Sequence, residues 1–343
     1  MLKLTRSVGV IALFLTFPQF ARAEEDSVAR FYRGRQVIID VGFGPGGSAS
    51  LYAVALSHHM SRFIPGSPTL VVQHMPGAGG LTVANYIANT APRDGTVFAI
   101  TGRTTGVEPL MGNENAKFDG RLFNWLGTTN VEYTTCLSWH TSPVKTLQDA
   151  MQTQLIVGGT GSDATDVIFP KAINKIIGTK FKIIMGYPGS AEMDLAMERG
   201  ELQGNCGLGW SVIKTRRQDW LKNNRINILF QMSLEKHPDL PDVPLVLDYA
   251  KTPADRKVLE FLFAPQEMGR PFFAPPGVPA ERVDALRQAF VRTLQDPTFL
   301  NEAAKAGLEI NLVDGASVQK IIETMYATPP ETLQRIKDIA AAK

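Results

Sequence analysis

Four times along this 343-residue chain a short strand-like run, mostly β-branched, breaks into a glycine-rich turn and then into a helical stretch. Val37-Ile38-Ile39-Asp40-Val41 ends in Gly42-Phe43-Gly44-Pro45-Gly46-Gly47-Ser48. A stretch from about 49 to 63 follows, with Leu51, Ala55, Leu56, His59, Met60 and Phe63 near one helical face. Thr69 to Gln73 leads to Pro76-Gly77-Ala78-Gly79-Gly80 and a helix holding Leu81, Ala84, Ile87 and Ala88; Asp94-Gly95 then turns into a strand over 96–101. Leu155-Ile156-Val157 runs into Gly158-Gly159-Thr160-Gly161-Ser162, with a helix starting near Asp163. Phe181 to Met185 runs into Gly186-Tyr187-Pro188-Gly189-Ser190, with a helix over 191–199. Strands alternating with helices predict parallel sheets with helices on both faces. The two clusters flank a stretch around 130–143, so two α/β lobes are expected; the length exceeds the ~250–300 residues at which single cores stop growing.

The C-terminal part offers a strand candidate over 269–274, then Pro275-Pro276-Gly277-Val278-Pro279. Helices are expected over 280–294, 297–306 and 317–324, with this part returning to the first lobe. The start reads Met1-Leu2-Lys3-Leu4-Thr5-Arg6, an apolar stretch from Val8 to Phe17, and Ala21-Arg22-Ala23. A basic start, a short apolar segment and an A-x-A ending predict a secretory signal cleaved after Ala23, since a bilayer span needs about 20 residues. The division is then 1–23 signal, 24–131 first part of lobe 1, 132–232 lobe 2, and 233–343 the return to lobe 1. Cleavage removes Lys3, Arg6 and Arg22, leaving 32 basic against 33 acidic residues, a net charge of −1. That balance gives no footprint for nucleic acid. Export gives Cys136 and Cys206 reason to pair, against the alternative of two buried free thiols.

A glycine turn at the carboxyl end of a parallel strand aims unpaired N–H groups and the positive end of a helix at whatever lies above it. Four such turns converging between lobes would bind a carboxylate, with Ser48, Ser50, Thr160, Ser162 and Ser190 adding hydroxyls. The competing reading is that glycine serves tight turns and close packing. Other chemistries lack their parts. Gly42-x-Gly44-x-x-Gly47 matches the dinucleotide fingerprint, but the next strand ends Val72-Gln73-His74 without the ribose-binding acid. There is no Walker A string and no G-x-S-x-G elbow. Two cysteines cannot form a Cys-only zinc site, and His58 and His59, adjacent on a helix, are expected to point to different faces. No catalytic residue, metal or cofactor is assigned.

Taken together, the ordered strings resemble the periplasmic solute-binding proteins of tripartite tricarboxylate transporters, the TctC or Bug family. They are Val41-Gly42-Phe43-Gly44-Pro45-Gly46-Gly47, Met75-Pro76-Gly77-Ala78-Gly79-Gly80, Ala91-Pro92-Arg93-Asp94-Gly95-Thr96, Gly186-Tyr187-Pro188-Gly189-Ser190, Glu198-Arg199-Gly200-Glu201, Leu240-Pro241-Asp242-Val243-Pro244 and Ala274-Pro275-Pro276-Gly277-Val278-Pro279. The resemblance implies a two-lobe periplasmic-binding-protein fold, type II-like, with mostly parallel sheets, flanking helices and a ligand cleft between lobes. It implies a monomer that captures a small carboxylate and delivers it to a permease of one large and one small membrane subunit, performing no chemistry. The alternatives are an exported enzyme or a ligand sensor using the same cleft.

By the same resemblance, Phe43, Gly46, Gly47, Ser48 and Ser50 would contribute from the first loop and Ala78 and Gly79 from the second. Thr160, Ser162, Tyr187 and Ser190 would close from the other lobe. Members that bind amino acids carry G-G-x-x-D at the first loop. Here the string is Gly46-Gly47-Ser48-Ala49-Ser50, which implies a ligand without an amine: a di- or tricarboxylate or an aromatic acid. Arg103, just after the third strand, is a candidate for a second carboxylate, against an ordinary loop arginine. Tyr133, Trp139 and Trp210 are candidates for an apolar lining, against core packing.

Overall fold

The structure, a computed structural model, describes residues 27–161 and 164–341. The expected signal over 1–23 and the candidate Ser162 lie outside the described residues. The strands are β1 Gln36–Val41, β2 Thr69–His74, β3 Val97–Ile100, β4 Asn124–Thr128, β5 Thr134–Trp139, β6 Leu155–Gly159, β7 Phe181–Met185, β8 Gly204–Gly209, β9 Ile226–Met232, β10 Pro271–Ala274 and β11 Val313–Asp314. The helices are α1 Ser27–Tyr32, α2 Ser48–Met60, α3 Leu81–Asn89, α4 Leu147–Gln152, α5 Thr165–Ile177, α6 Ser190–Glu198, α7 Trp210–Arg216, α8 Gln218–Lys222, α9 Pro253–Phe263, α10 Ala280–Leu294, α11 Pro297–Lys305, α12 Gly315–Tyr326 and α13 Pro330–Ala341. No helix among the described residues is long and apolar enough to cross a membrane.

Two sheets carry the two lobes, in the orders β11-β4-β10-β3-β1-β2 and β7-β6-β8-β5-β9. Each is mixed, where the sequence pattern predicts mostly parallel pairing. The glycine-loop units give the parallel half of each sheet, β3-β1-β2 and β7-β6-β8. The antiparallel half is built by β10, β4 and β11 in one sheet and by β5 and β9 in the other. The stretch around 130–143 is thus more than a connector: Thr134 to Trp139 is an inner strand, buried at every position. On it, Cys136 is joined through sulfur to Cys206 of neighbouring β8.

Period-two alternation explains the layering of the first sheet. Val37, Ile39 and Val41 point into one core with Tyr52, Leu56 and Met60 of α2 and Leu286 and Phe290 of α10. The opposite face joins Val83 and Ile87 of α3 and Ile322 and Met325 of α12 to a core that continues into the second lobe. There Phe169 of α5 packs edge-on against Phe263 of α9 at 5.0 Å between ring centroids. Residues 253–263, expected with the first lobe, therefore cover the second sheet, because Val258, Leu259 and Phe263 form one apolar face turned to α5. The chain rejoins the first sheet at β10, α12 packs on β4, and α13 returns to α5 and α9. The third core lies on the outer face of the second sheet around Leu137, Met197 and Trp220.

Candidate functional site

Three loops of the first lobe meet at the carboxyl ends of β1, β2 and β3. Close approach dictates glycine at their bases: a Cβ on Gly42 would stand 2.7 Å from the Val83 side chain, and one on Gly80 2.2 Å from the Thr101 hydroxyl. The second loop is an unusual run, with positive φ at Gly77, Ala78, Gly79 and Gly80 in succession. Ala78, at φ 46°, holds a backbone region that costs a residue with a side chain of order 1–3 kcal/mol. By contrast, a Cβ on Gly44, Gly46 or Gly79 would meet nothing within 4 Å. Packing therefore accounts for Gly42 and Gly80 and leaves open space in front of the others. The third loop closes the set: Gly102 lies against the Phe43 ring and the Gly79 carbonyl, each 3.6 Å from a Cβ built there.

The helix start above the first loop is bare. α2 begins at Gly47 without a side-chain cap, and among the described residues no backbone carbonyl receives the Ser48, Ala49 or Ser50 N–H. α3, also without a side-chain cap, gives its Leu81 and Thr82 N–H groups to the Ala78 and Gly77 carbonyls. In the second lobe α5 begins at Ala164 and α6 at Gly189, again with no side-chain cap among the described residues. Elsewhere the starts differ: α4, α9, α11 and α12 begin on Thr146, Thr252, Asp296 and Asp314, each accepting a backbone N–H, while α7, α8 and α10 begin on Gly209, Arg217 and Pro279 without a side-chain cap.

Charge gathers beside the first loop. Arg270, directly before β10, donates an Nη2 hydrogen bond to the Ser48 hydroxyl at 2.9 Å, while its Nε is buried without a partner. Arg103 is half-buried and makes no hydrogen bond or ion pair among the described residues. Burial pulls its pKa below the usual guanidinium range; Glu132 opposes that shift and Arg270 adds to it. Glu132 is 6% exposed and accepts a hydrogen bond from Ser211 in the first turn of α7 at 3.2 Å. Ser50 is also buried, its hydroxyl 2.8 Å from Nε2 of His74 at the end of β2.

The second lobe's candidates form their own group. Thr160 gives both its N–H and its hydroxyl to Asp166, whose carboxyl burial nonetheless pushes up. Gly186 and Tyr187 donate their N–H groups to Thr160 and Gly159, so the two loops are stitched together, with Ser190 exposed at the start of α6. No hydrogen bond among the described residues joins this group to the loops of the first lobe. Asn205, fully buried on β8 with both side-chain polar atoms unpartnered, belongs near this group, since Gly207 packs against both it and Asp166.

Of the aromatic candidates, Trp139 is a core residue, edge-on to Trp220 at 5.3 Å. Trp210 is also buried in that core, its indole N–H on Asp239, and Tyr133 meets His237 edge-on at 4.7 Å. His58 and His59 do not diverge as expected: both reach Glu302 of α11, at 2.8 and 2.7 Å, because the carboxylate sits between their two helical faces. Arg270, Glu132 and His74 were beyond reach of the sequence patterns; only His74, ending its strand before a glycine loop, had a local signal. Cavities of about 420 Å³ beside α6 and α8 and about 520 Å³ between α9 and α12 contain none of the loop residues. In the first, Arg217 is paired with Asp194 and Glu198 accepts the Trp220 indole N–H.

A two-lobed α/β chain with bare helix starts over glycine loops has the make-up of a solute-binding protein. Residues 57–337 match the tripartite tricarboxylate transporter family receptor, TctC, and the chain belongs to that family. Its fold is similar to a TctC solute-binding protein from Polaromonas, at a TM-score of 0.69 and 18% identity over 90% of this chain and 98% of that one. It is also similar to an R. palustris protein with adipate (TM-score 0.62, 19% identity, 89% and 97% covered). MatC from Rhodopseudomonas palustris with bound malate is a third relative in fold (0.59, 18%, 89% and 99%). Among curated proteins none matches.

Proposed function

We propose that this chain is an exported, monomeric receptor that captures a small carboxylate between its lobes and delivers it to a permease of one large and one small membrane subunit. The observation that carries the reading is the set of bare helix starts at the loops of both lobes. An anionic ligand supplies the acceptors that α2 and α6 lack among the described residues. Phe43, Gly46, Gly47, Ser48, Ala78 and Gly79 would hold it from the first lobe, and Thr160, Tyr187, Ser190 and Ser162 from the second. Ser50 is better described as a support, since His74 already engages its hydroxyl. No acid stands at that position to hold an ammonium, which favours a ligand without an amine. The malate and adipate bound by two proteins of similar fold agree with that chemistry. In this reading the lobes divide as 24–131, 132–232 and 233–343, except that 253–263 goes with the second lobe through α5; residues 1–23 are removed on export to the periplasm, and the Cys136–Cys206 bond forms there.

The test is thermal unfolding against a panel of mono-, di- and tricarboxylates, aromatic acids and amino acids. A true ligand at a hundredfold excess over Kd stabilises by about 2.7 kcal/mol. A panel in which organic acids shift the midpoint and amino acids do not supports the reading. No shift with any organic acid overturns it.

A further inference from the structure

We propose that Arg103 and Arg270 are specificity-determining residues that require the ligand to be a dianion, one carboxylate at the α2 start with Ser48 and Arg270 and the other on Arg103. The inference rests on the carboxylate-receptor reading above and fixes its charge count.

The argument is one of unmatched charge. The guanidinium of Arg270 is tied to Ser48 at the head of α2, where the Ser48, Ala49 and Ser50 N–H groups point outward. Arg103 leaves the end of β3 one residue after Gly102, which touches Phe43 of the first loop and Gly79 of the second. Neither arginine has an ion-pair partner within salt-bridge reach among the described residues, and the charges facing Arg103 are Glu132 and Arg270. Glu132 offsets one of the two cations, leaving one net positive charge in addition to the helix dipole. β10 runs antiparallel to β3 with Phe272 opposite Ile100, which brings Arg270 beside the loop that carries Arg103. Like charges held close and partly buried repel, and neither gains a salt bridge among the described residues. A fold gains nothing from such an arrangement on its own. An arriving dianion turns it into two charge-assisted forks. A monocarboxylate fills the α2 site and leaves Arg103 unmatched.

Glu132 makes the proposal testable in both directions. It competes with the ligand for Arg103, so removing its charge should tighten dianion binding, whereas removing Arg103 should weaken it. A purely structural cluster would respond to either change with lost stability and no selective change in affinity.

Calorimetry with succinate, glutarate and adipate, each paired with its monomethyl ester, measures the selectivity. For the unaltered protein at least one diacid should bind about tenfold or more tightly than its ester. Arg103→Met should weaken that diacid by roughly 10- to 100-fold and leave ester binding within about twofold. Glu132→Gln should tighten the diacid by roughly three- to tenfold. Arg103→Lys, which keeps the charge and loses the fork, should fall between, and unfolding curves of each unliganded variant establish that it folds. Ester and diacid binding alike, unchanged by Arg103→Met or Arg103→Lys, would overturn the dianion requirement and leave the carboxylate receptor standing. Failure of every carboxylate to bind the unaltered protein overturns both.

Discussion

Helix starts in this molecule come in two kinds. At the periphery α4, α9, α11 and α12 open on threonine or aspartate, and α4 carries a complete capping box between Thr146 and Asp149. Over the glycine loops α2, α3 and α6 open on glycine and α5 on alanine, none with a side-chain cap among the described residues. Uncapped starts also occur away from the loops, on Gly209, Arg217 and Pro279 at α7, α8 and α10. What sets α2 and α6 apart is that among the described residues their first three N–H groups meet no backbone acceptor, one such start in each lobe.

The largest expected effect comes from filling a loop base. Gly80→Val places a branched side chain at φ 102° against the Thr101 hydroxyl, and should cost about 3 kcal/mol in denaturant unfolding with loss of carboxylate binding. An unchanged midpoint would mean that the loop has room the structure does not show.

Next comes a carboxyl left without a partner. Asp40 is 2% exposed on β1, its carboxyl makes no hydrogen bond or ion pair among the described residues, and burial pushes its pKa up to about 6. Its folded value exceeds the unfolded value of about 3.9, so the folded state holds the proton more tightly. Stability from this group is full below about pH 4 and is lost as pH rises through about 6. Asp40→Asn should therefore gain about 2–3 kcal/mol at pH 7 and flatten the stability profile between about pH 4 and 6.

Removing a peripheral cap should matter less, and only to folding. Thr252→Ala and Asp296→Ala should each cost about 1 kcal/mol and leave ligand affinity unchanged. The smallest change in stability is the sharpest test of the contrast. At Gly47 the backbone is ordinary (φ −73°) and a Cβ meets only the Gly44 carbonyl, at 3.7 Å. Gly47→Asp should therefore cap α2 and stabilise by about 0.5–1 kcal/mol, while its carboxylate occupies the amides that the ligand needs. Thermal unfolding should rise as calorimetric affinity falls by about tenfold or more; affinity that survives would separate the α2 start from binding.

The parts legible in the sequence were those encoded locally. The strand, glycine loop and helix of each parallel unit fall within one stretch of chain, and the helix over 280–294 was read to the residue. Of the antiparallel strands only β10 was foreshadowed, over 269–274. The strand β8, where the parallel and antiparallel halves of its sheet meet, was missed: Gly204-Asn205-Cys206-Gly207-Leu208-Gly209 is half glycine, yet it is the middle strand of its sheet. Its glycines answer to neighbours far along the chain: the Leu137 carbonyl, Asp166 and Glu132. The site divides in the same way. Phe43, Gly46 and Arg103 sit on the loops that flag them, whereas Arg270 reaches Ser48 across 222 positions, a distance no local pattern spans.

The two stretches that link the lobes are themselves paired. Gly269 N–H meets the Asn130 carbonyl and Glu132 N–H meets the Gln266 carbonyl, both at 2.9 Å, with the Gln266 amide group bonded onward to Thr134 and Met232. A doubled ribbon of this kind flexes across its flat face and resists shearing in its plane, since shear would break those rungs. Glu132 and Arg270 ride on that ribbon, so flexing it carries the two opposite charges along together.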